Sequence, residues 1–124
     1  QDFAISTIEF EREGPSYTID TIRALQATGE VESHPGLIIG DDITATFSEW
    51  KDHQELRDMV RLMVARREGE IRDDSLGAYE VVDNAMIPVS SSQIRERVRA
   101  GRAYRYLVPE PVYRFIEAHG IYRT

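Results

Sequence analysis

The sequence predicts an α/β domain with a mainly parallel sheet, flanking helices and a helical C-terminus. Two short continuous apolar runs, Leu37-Ile38-Ile39 and Val60 to Ala65, have the length and composition of buried strands, and each stops at a polar or charged turn. Helical periodicities lie between and after them, and strands that alternate with helices at this rhythm pair in parallel. The third observation is Val89-Ser90-Ser91-Ser92-Gln93-Ile94-Arg95, where an apolar approach turns into three hydroxyl residues and then into an amphipathic helix.

Taken in order, Phe3 to Phe10 alternates apolar and polar with one irregularity and predicts a strand, which Gly14-Pro15-Ser16 ends as a turn. Thr18 or Ser16 can cap a helix whose apolar positions Ile19, Ile22 and Leu25 recur at three-residue spacing, and Gly29 closes it. Leu37 to Ile39 is the first buried strand, stopping at Gly40-Asp41-Asp42. Beyond the carboxyl end of such a strand a glycine followed by carboxylates can approach a sugar and accept from its hydroxyls; the same composition also makes a plain turn. Ile43 to Trp50 predicts a helical turn or short helix and Gln54 to Met59 a second short helix, with Trp50, the only tryptophan, either packing or stacking on a ligand. Val60 to Ala65 is the second buried strand, Glu68 to Gly77 a charged loop and Ala78 to Val82 a further strand. After the serines the helix runs to about Ala100 and stops at Gly101. A last helix begins at Pro109-Glu110-Pro111, packs Val112, Phe115 and Ile116, and ends at Gly120, with proline inside the start and glycine past the end.

Ser90 and Gln93 have the capping-box spacing, which makes Ser90 the N-cap. The first turn then points free N–H groups outward, and with the Ser91 and Ser92 hydroxyls, the helix dipole and the Arg95 guanidinium it can cradle a phosphate; an ordinary capped helix has the same pattern. Charge favours the cradle. Residues 1–92 carry 8 Lys and Arg against 19 Asp and Glu, whereas residues 93–124 carry 7 Arg against 3 Glu, so an acidic chain of net charge -7 concentrates its positive charge after the serines.

At 124 residues the chain suits one domain, 1–124, with the sheet and its helices in about 1–88 and the phosphate-binding and C-terminal helices in 89–124. With 41% hydrophobic and 30% charged residues it reads as globular, and no apolar run approaches the ~20 residues of a membrane span. The absence of cysteine excludes disulfides, thiol nucleophiles and thiolate metal sites and fits a cytoplasmic protein. An isoelectric point near 4.9 argues against nucleic acid as a partner.

The stretch from Val89 to Arg95 resembles the Ile-Ser-Ser-Thr-x-Ile-Arg signature of the nucleotidyltransferase α/β phosphodiesterase superfamily, with Val89 for Ile and Ser92 for Thr. Gly14-Pro-Ser-Tyr-Thr-Ile-Asp-Thr21, Ile38-Ile-Gly-Asp-Asp42, Val64-Ala-Arg-Arg67, and the tail from Leu107-Val-Pro-Glu-Pro-Val to His119-Gly-Ile-Tyr122 resemble the bacterial nicotinate-nucleotide adenylyltransferases. These blocks occur in the family's order and cover most of the chain.

The resemblance implies a Rossmann-like nucleotidyltransferase fold, present here incompletely, and adenylyl transfer from ATP to nicotinate mononucleotide with Mg²⁺ carried on the ATP phosphates and no dedicated protein ligand. By position, Ser90, Ser91, Ser92 and Arg95 would hold the ATP phosphates, with Arg95 acting in catalysis; Gly40 and Asp42 would meet the adenosine ribose. Tyr17 and Thr18 lie where the family closes over the nicotinate, with Trp50 as its aromatic wall. The family's Tyr after that Trp is Lys51 here, so either a cation serves the nicotinate carboxylate or that half of the pocket differs. Glu68 stands where Pro is usual.

The family's Gly-x-Phe-x-Pro-x-His-x-Gly-His stretch is absent: His34 and His53 read as loop residues and His119 as a helix-end residue. The chain is therefore expected to be the C-terminal portion of the enzyme and to have little activity alone. The alternatives are a non-catalytic nucleotide-binding module and a related adenylyltransferase with another phosphorylated acceptor. A homo-oligomer is compatible with the sequence, because sheet edges left open by truncation can pair with another chain.

Overall fold

The computed structural model describes residues 3–67, 71, 76–85 and 87–124, which group into two compact units, 1–86 and 87–124. In the first unit, strands β1 (Gly36–Gly40), β2 (Arg61–Ala65) and β3 (Glu80–Val82) form a parallel sheet in the order β1-β2-β3. The register pairs Ile39 with Val64 and Val64 with Val81, so the apolar runs read from the sequence lie side by side.

A single sheet face carries the core. Leu37 and Leu62 share it with Ile39 and Val64, because paired residues in a parallel register point the same way and the side chains alternate along each strand. Helix α1 (Thr18–Ala27) supplies buried Ile19 and Ile22, helix α2 (His53–Met59) supplies Leu56, and Phe47, Val60 and Leu76 complete the cluster. Ile38, on the opposite face, is 62% exposed. Between β1 and α2 the chain runs as a long 3-10 helix, Asp41–Glu49, in place of the short helix expected from Ile43 to Trp50.

The predicted strand at Phe3 to Phe10 does not form. Residues 3–7 have no regular structure, Ile8–Glu11 is a 3-10 helix, and Phe3, Ile5 and Phe10 are 87%, 95% and 89% exposed. A strand needs a neighbour to satisfy its ladder, and no strand pairs with this segment among the described residues. The N-cap of α1 is Tyr17, not Thr18 or Ser16, and it makes no side-chain cap bond. His53 is the first residue of α2 and not a loop residue, whereas His34 does lie in the segment before β1. Most of the charged loop expected at Glu68 to Gly77 lies outside the described residues.

The second unit contains helix α3 (Ser91–Arg99), a 3-10 turn at Arg105–Leu107 and helix α4 (Glu110–His119). Its core is Ile94, Val98, Tyr104 and Ile116, with Val89, Val108, Tyr113 and Ile121 packed against it. Pro111 stands in the first turn of α4, and Gly120 caps its end with φ 61, a left-handed conformation that glycine adopts without steric cost. The last carbonyls of α4 meet His119, whose Nδ1 is 2.9 Å from the Phe115 carbonyl oxygen.

Candidate functional site

The carboxyl ends of β1 and β2 are tied together by two adjacent carboxylates. Asp41 is buried, and its Oδ2 accepts the Arg67 backbone N–H at 2.8 Å, while its carbonyl accepts the buried Thr44 hydroxyl at 2.7 Å. Asp42 is exposed, with Oδ2 3.6 Å from Arg67 Nη1. A Cβ on Gly40 would collide with Asp42 Oδ1 and stand 3.8 Å from the Arg67 guanidinium carbon. Gly40 therefore keeps the space in which the Asp42 carboxylate sits. One strand further on, the Asn84 amide accepts the Arg66 N–H at 3.0 Å and donates to the Arg66 carbonyl at 2.9 Å, replacing a backbone ladder with a side chain.

A second group surrounds a cavity of about 220 Å³ lined by Ser16, Tyr17, Thr18, Glu49, Trp50 and Lys51. Trp50 is half-buried and packs on buried Phe47 with ring centroids 5.2 Å apart, so it serves the core as well as the cavity. Lys51 Nζ lies 4.8 Å from the centroid of the Tyr17 ring and 2.9 Å from Asp20 Oδ2. The hydrogen bond from Lys51 holds the Asp20 carboxyl below its ordinary value. Asp52, at φ 50, makes the sharp left-handed turn that sends the chain from Lys51 into α2, a conformation aspartate tolerates better than most residues.

The third group lies in the second unit, at the start of α3. The capping box is complete: Ser90 Oγ accepts the Gln93 N–H at 3.2 Å and Gln93 Oε1 accepts the Ser90 N–H at 3.1 Å. That leaves the Ser91 and Ser92 N–H groups without a hydrogen-bond partner among the described residues. Arg95 donates to Ser92 Oγ at 3.1 Å, and Ser91, Ser92 and Arg95 are all exposed. Buried Ile94 and Val98 fix the opposite face of the helix. Two open N–H groups at a helix start, with hydroxyls and a guanidinium beside them, suit a tetrahedral anion.

The structure thus brings Tyr17, Thr18, Trp50 and Lys51 together on one cavity, Gly40 and Asp42 at one strand end, and Ser90, Ser91, Ser92 and Arg95 on one helix start. The sequence did not single out Asp41 as the buried tie, Arg67 as the partner of both carboxylates, Asn84 as the strand clasp, or Ser16 and Glu49 on the cavity wall. Asp41 and Arg67 carried a signal in hindsight, since each ends a predicted buried strand and parallel neighbours bring those ends together. Among the described residues no three His, Cys, Asp or Glu side chains gather into a metal site.

The pattern described as cytidylyltransferase-like matches residues 3–97, a span that includes β1 to β3 and the start of α3. The chain belongs to the cytidylyltransferase-like family. Among curated relatives of this cytidylyltransferase-like chain, three carry the name "Probable nicotinate-nucleotide adenylyltransferase". The protein from Geobacillus kaustophilus is 44% identical over 124 residues, covering 97% of this chain and 55% of the relative. That from Tropheryma whipplei strain TW08/27 is 38% identical over 128 residues, covering 100% and 67%. The third, from Exiguobacterium sibiricum, is 40% identical over 125 residues, covering 100% and 66%. The chain spans about half to two-thirds of the length of the curated relatives it matches. No helix among the described residues is long and apolar enough to cross a membrane.

Proposed function

We propose that the whole protein transfers an adenylyl group from ATP to nicotinate mononucleotide, giving deamido-NAD and pyrophosphate, a step of NAD biosynthesis. The observation that carries this reading is that Tyr17, Thr18, Trp50 and Lys51, assigned by resemblance to the nicotinate end, share one cavity of about 220 Å³. The names of the relatives support it as well. The mononucleotide phosphate attacks the α-phosphorus of ATP in line; a new P–O bond forms as the bond to the β-phosphate bridge breaks, and pyrophosphate leaves. No side-chain nucleophile is needed, so the protein's share is positioning and charge stabilisation.

In this reading Gly40 and Asp42 meet the adenosine ribose, and the Ser90, Ser91 and Ser92 helix start with Arg95 holds the phosphates. Mg²⁺ carried on the ATP phosphates would supply charge neutralisation there. The nicotinate carboxylate competes with Asp20 for Lys51 Nζ, which makes Lys51 the side chain that separates the acid from the amide.

Pyrophosphate release by the complete protein, measured with nicotinate and then nicotinamide mononucleotide, tests the assignment; equal rates, or none with either, would overturn it. Arg95→Ala should lower kcat/KM by roughly 10- to 150-fold, the loss of a charge-assisted partner worth about 1.5–3 kcal/mol. The 124 residues contain no His-x-Gly-His motif, so the chain alone should turn over little. The second reading, a nucleotide-binding module without catalysis, predicts ATP binding without pyrophosphate release by the complete protein.

A further inference from the structure

The cavity of about 620 Å³ in the C-terminal unit includes none of the residues assigned above in its lining. Its lining includes Arg99, Arg102, Tyr104, Arg105, Glu117 and Arg123. Four arginines and one glutamate are among these residues. We propose that this cavity is a second anion site, built to take the di- or triphosphate group of a small molecule.

Glu117 brings little negative charge to a ligand. Its Oε1 accepts the Tyr104 hydroxyl at 2.6 Å and its Oε2 accepts from Arg123 at 2.9 Å, so both oxygens are occupied. The same bonds hold its carboxyl below the ordinary value, in the charged form that anchors Arg123 in the wall. Arg102 makes no side-chain hydrogen bond or ion pair among the described residues, although its backbone N–H is bound to the Arg97 carbonyl at 2.8 Å. Arg99 and Arg105 each pair with an exposed glutamate, Glu96 at 3.0 Å and Glu110 at 3.4 Å. Such exposed pairs hold weakly, and each guanidinium keeps other N–H donors for a phosphate oxygen. Arg105 also lies over the Tyr113 ring at 5.4 Å, which fixes its plane without using its donors.

The C-terminal end of α3 opposes an anion with about half an elementary charge, as every helix end of that polarity does. With Arg123 set against Glu117, the three guanidiniums of Arg99, Arg102 and Arg105 still exceed that half charge and the Glu96 and Glu110 carboxylates beside two of them. The volume falls in the range of small-ligand sites, about 300–1,000 Å³, and admits a nucleotide as well as an inorganic polyphosphate. The cavity is also distinct from the serine cradle, because the two occupy opposite ends of the same helix. Eight residues at 1.5 Å rise separate Ser91 from Arg99, about 12 Å along the axis.

Calorimetric titration of the 124-residue chain with inorganic tripolyphosphate tests the site, alongside Arg95→Ala, Arg102→Glu and Arg102→Lys chains whose helical circular dichroism matches the parent. Arg102→Glu should weaken binding by about tenfold or more, Arg102→Lys by much less, and Arg95→Ala should leave it intact. Repeating the titration with GTP in the Arg95→Ala chain identifies the source of the phosphate: tighter binding than tripolyphosphate assigns the cavity to nucleotides, equal binding to the inorganic anion. Binding lost in Arg95→Ala but kept in Arg102→Glu would overturn the proposal and return the anion to the serine cradle. No binding at millimolar tripolyphosphate, or self-association of the chain that Arg102→Glu abolishes, would overturn it equally.

Discussion

Ser90 closes both halves of a capping box, and its replacement isolates what that closure contributes. Ser90→Ala removes the acceptor for the Gln93 N–H and should destabilise the fold by about 1 kcal/mol, whereas Ser90→Gly should cost only a few tenths. Urea unfolding checks this as a lower midpoint at unchanged slope. Tyr104 gives a sharper test because burial, followed by its hydrogen bond to Glu117, pushes its hydroxyl up to about 12. A phenol raised in the folded state contributes stability that is fully present below its unfolded value near 10 and is lost as the pH rises through 12. In an alkaline absorbance titration one of the six tyrosines should ionise near pH 12, and Glu117→Gln should lower that value by removing the negative partner. A single transition near 10 for all six would contradict the buried position. At this scale the sequence revealed which residue types could act but not which ones touch. Asp42 and Arg95 stand out because short motifs contain them, and Lys51 because it departs from one, while the Asp41 bond to Arg67 spans 26 residues and depends on how two strands align.

Elements were legible where their stabilising partners are encoded nearby. The capping box marks the start of α3, Pro111 and Gly120 bracket α4, and the two apolar runs pair in β1 and β2 because both bury the same kind of face. Phe3 to Phe10 failed for the converse reason: alternation describes a strand's faces, but only a hydrogen-bonded neighbour makes it a strand, and this segment is left exposed. The helical turn or short helix expected at Ile43 to Trp50 is instead a 3-10 helix from Asp41 to Glu49, because tighter winding does not show in composition. Asn84 shows how a short element can be secured by one side chain, since β3 has only three residues and its amide continues the pairing to Arg66. Asn84→Ala should cost about 1–2 kcal/mol, and Asn84→Asp, which sets a carboxylate oxygen against the Arg66 and Ala85 carbonyls, should cost at least as much. Amide hydrogen exchange at Arg66 reads the bond directly; unchanged protection in Asn84→Ala would show that the amide does not hold the strand.

At the largest scale, the described core of the first unit packs on one face of its sheet, and this governs how the chain behaves in solution. β1 is an edge of the described sheet, and its sequence Gly36-Leu-Ile-Ile-Gly40 has no charge, no proline and no bulge to discourage a second strand. Ile38 stands 62% exposed on the uncovered face, and Phe3, Ile5 and Phe10 add apolar surface beyond it. A net charge of -7 opposes association through long-range repulsion, but salt screens that repulsion over about 10 Å at 0.1 M while leaving strand pairing and apolar contact intact. The 124-residue chain should therefore self-associate more strongly as salt rises, the reverse of an association driven by its basic C-terminal unit meeting its acidic N-terminal one. Ile38→Lys places a charge on the exposed face of the edge strand, where it displaces no buried contact, and should shift sedimentation at micromolar concentration toward the monomer with little change in unfolding midpoint. Association that weakens with salt and ignores Ile38→Lys would mean that charge pairing between the two units, and not the open edge, brings copies together.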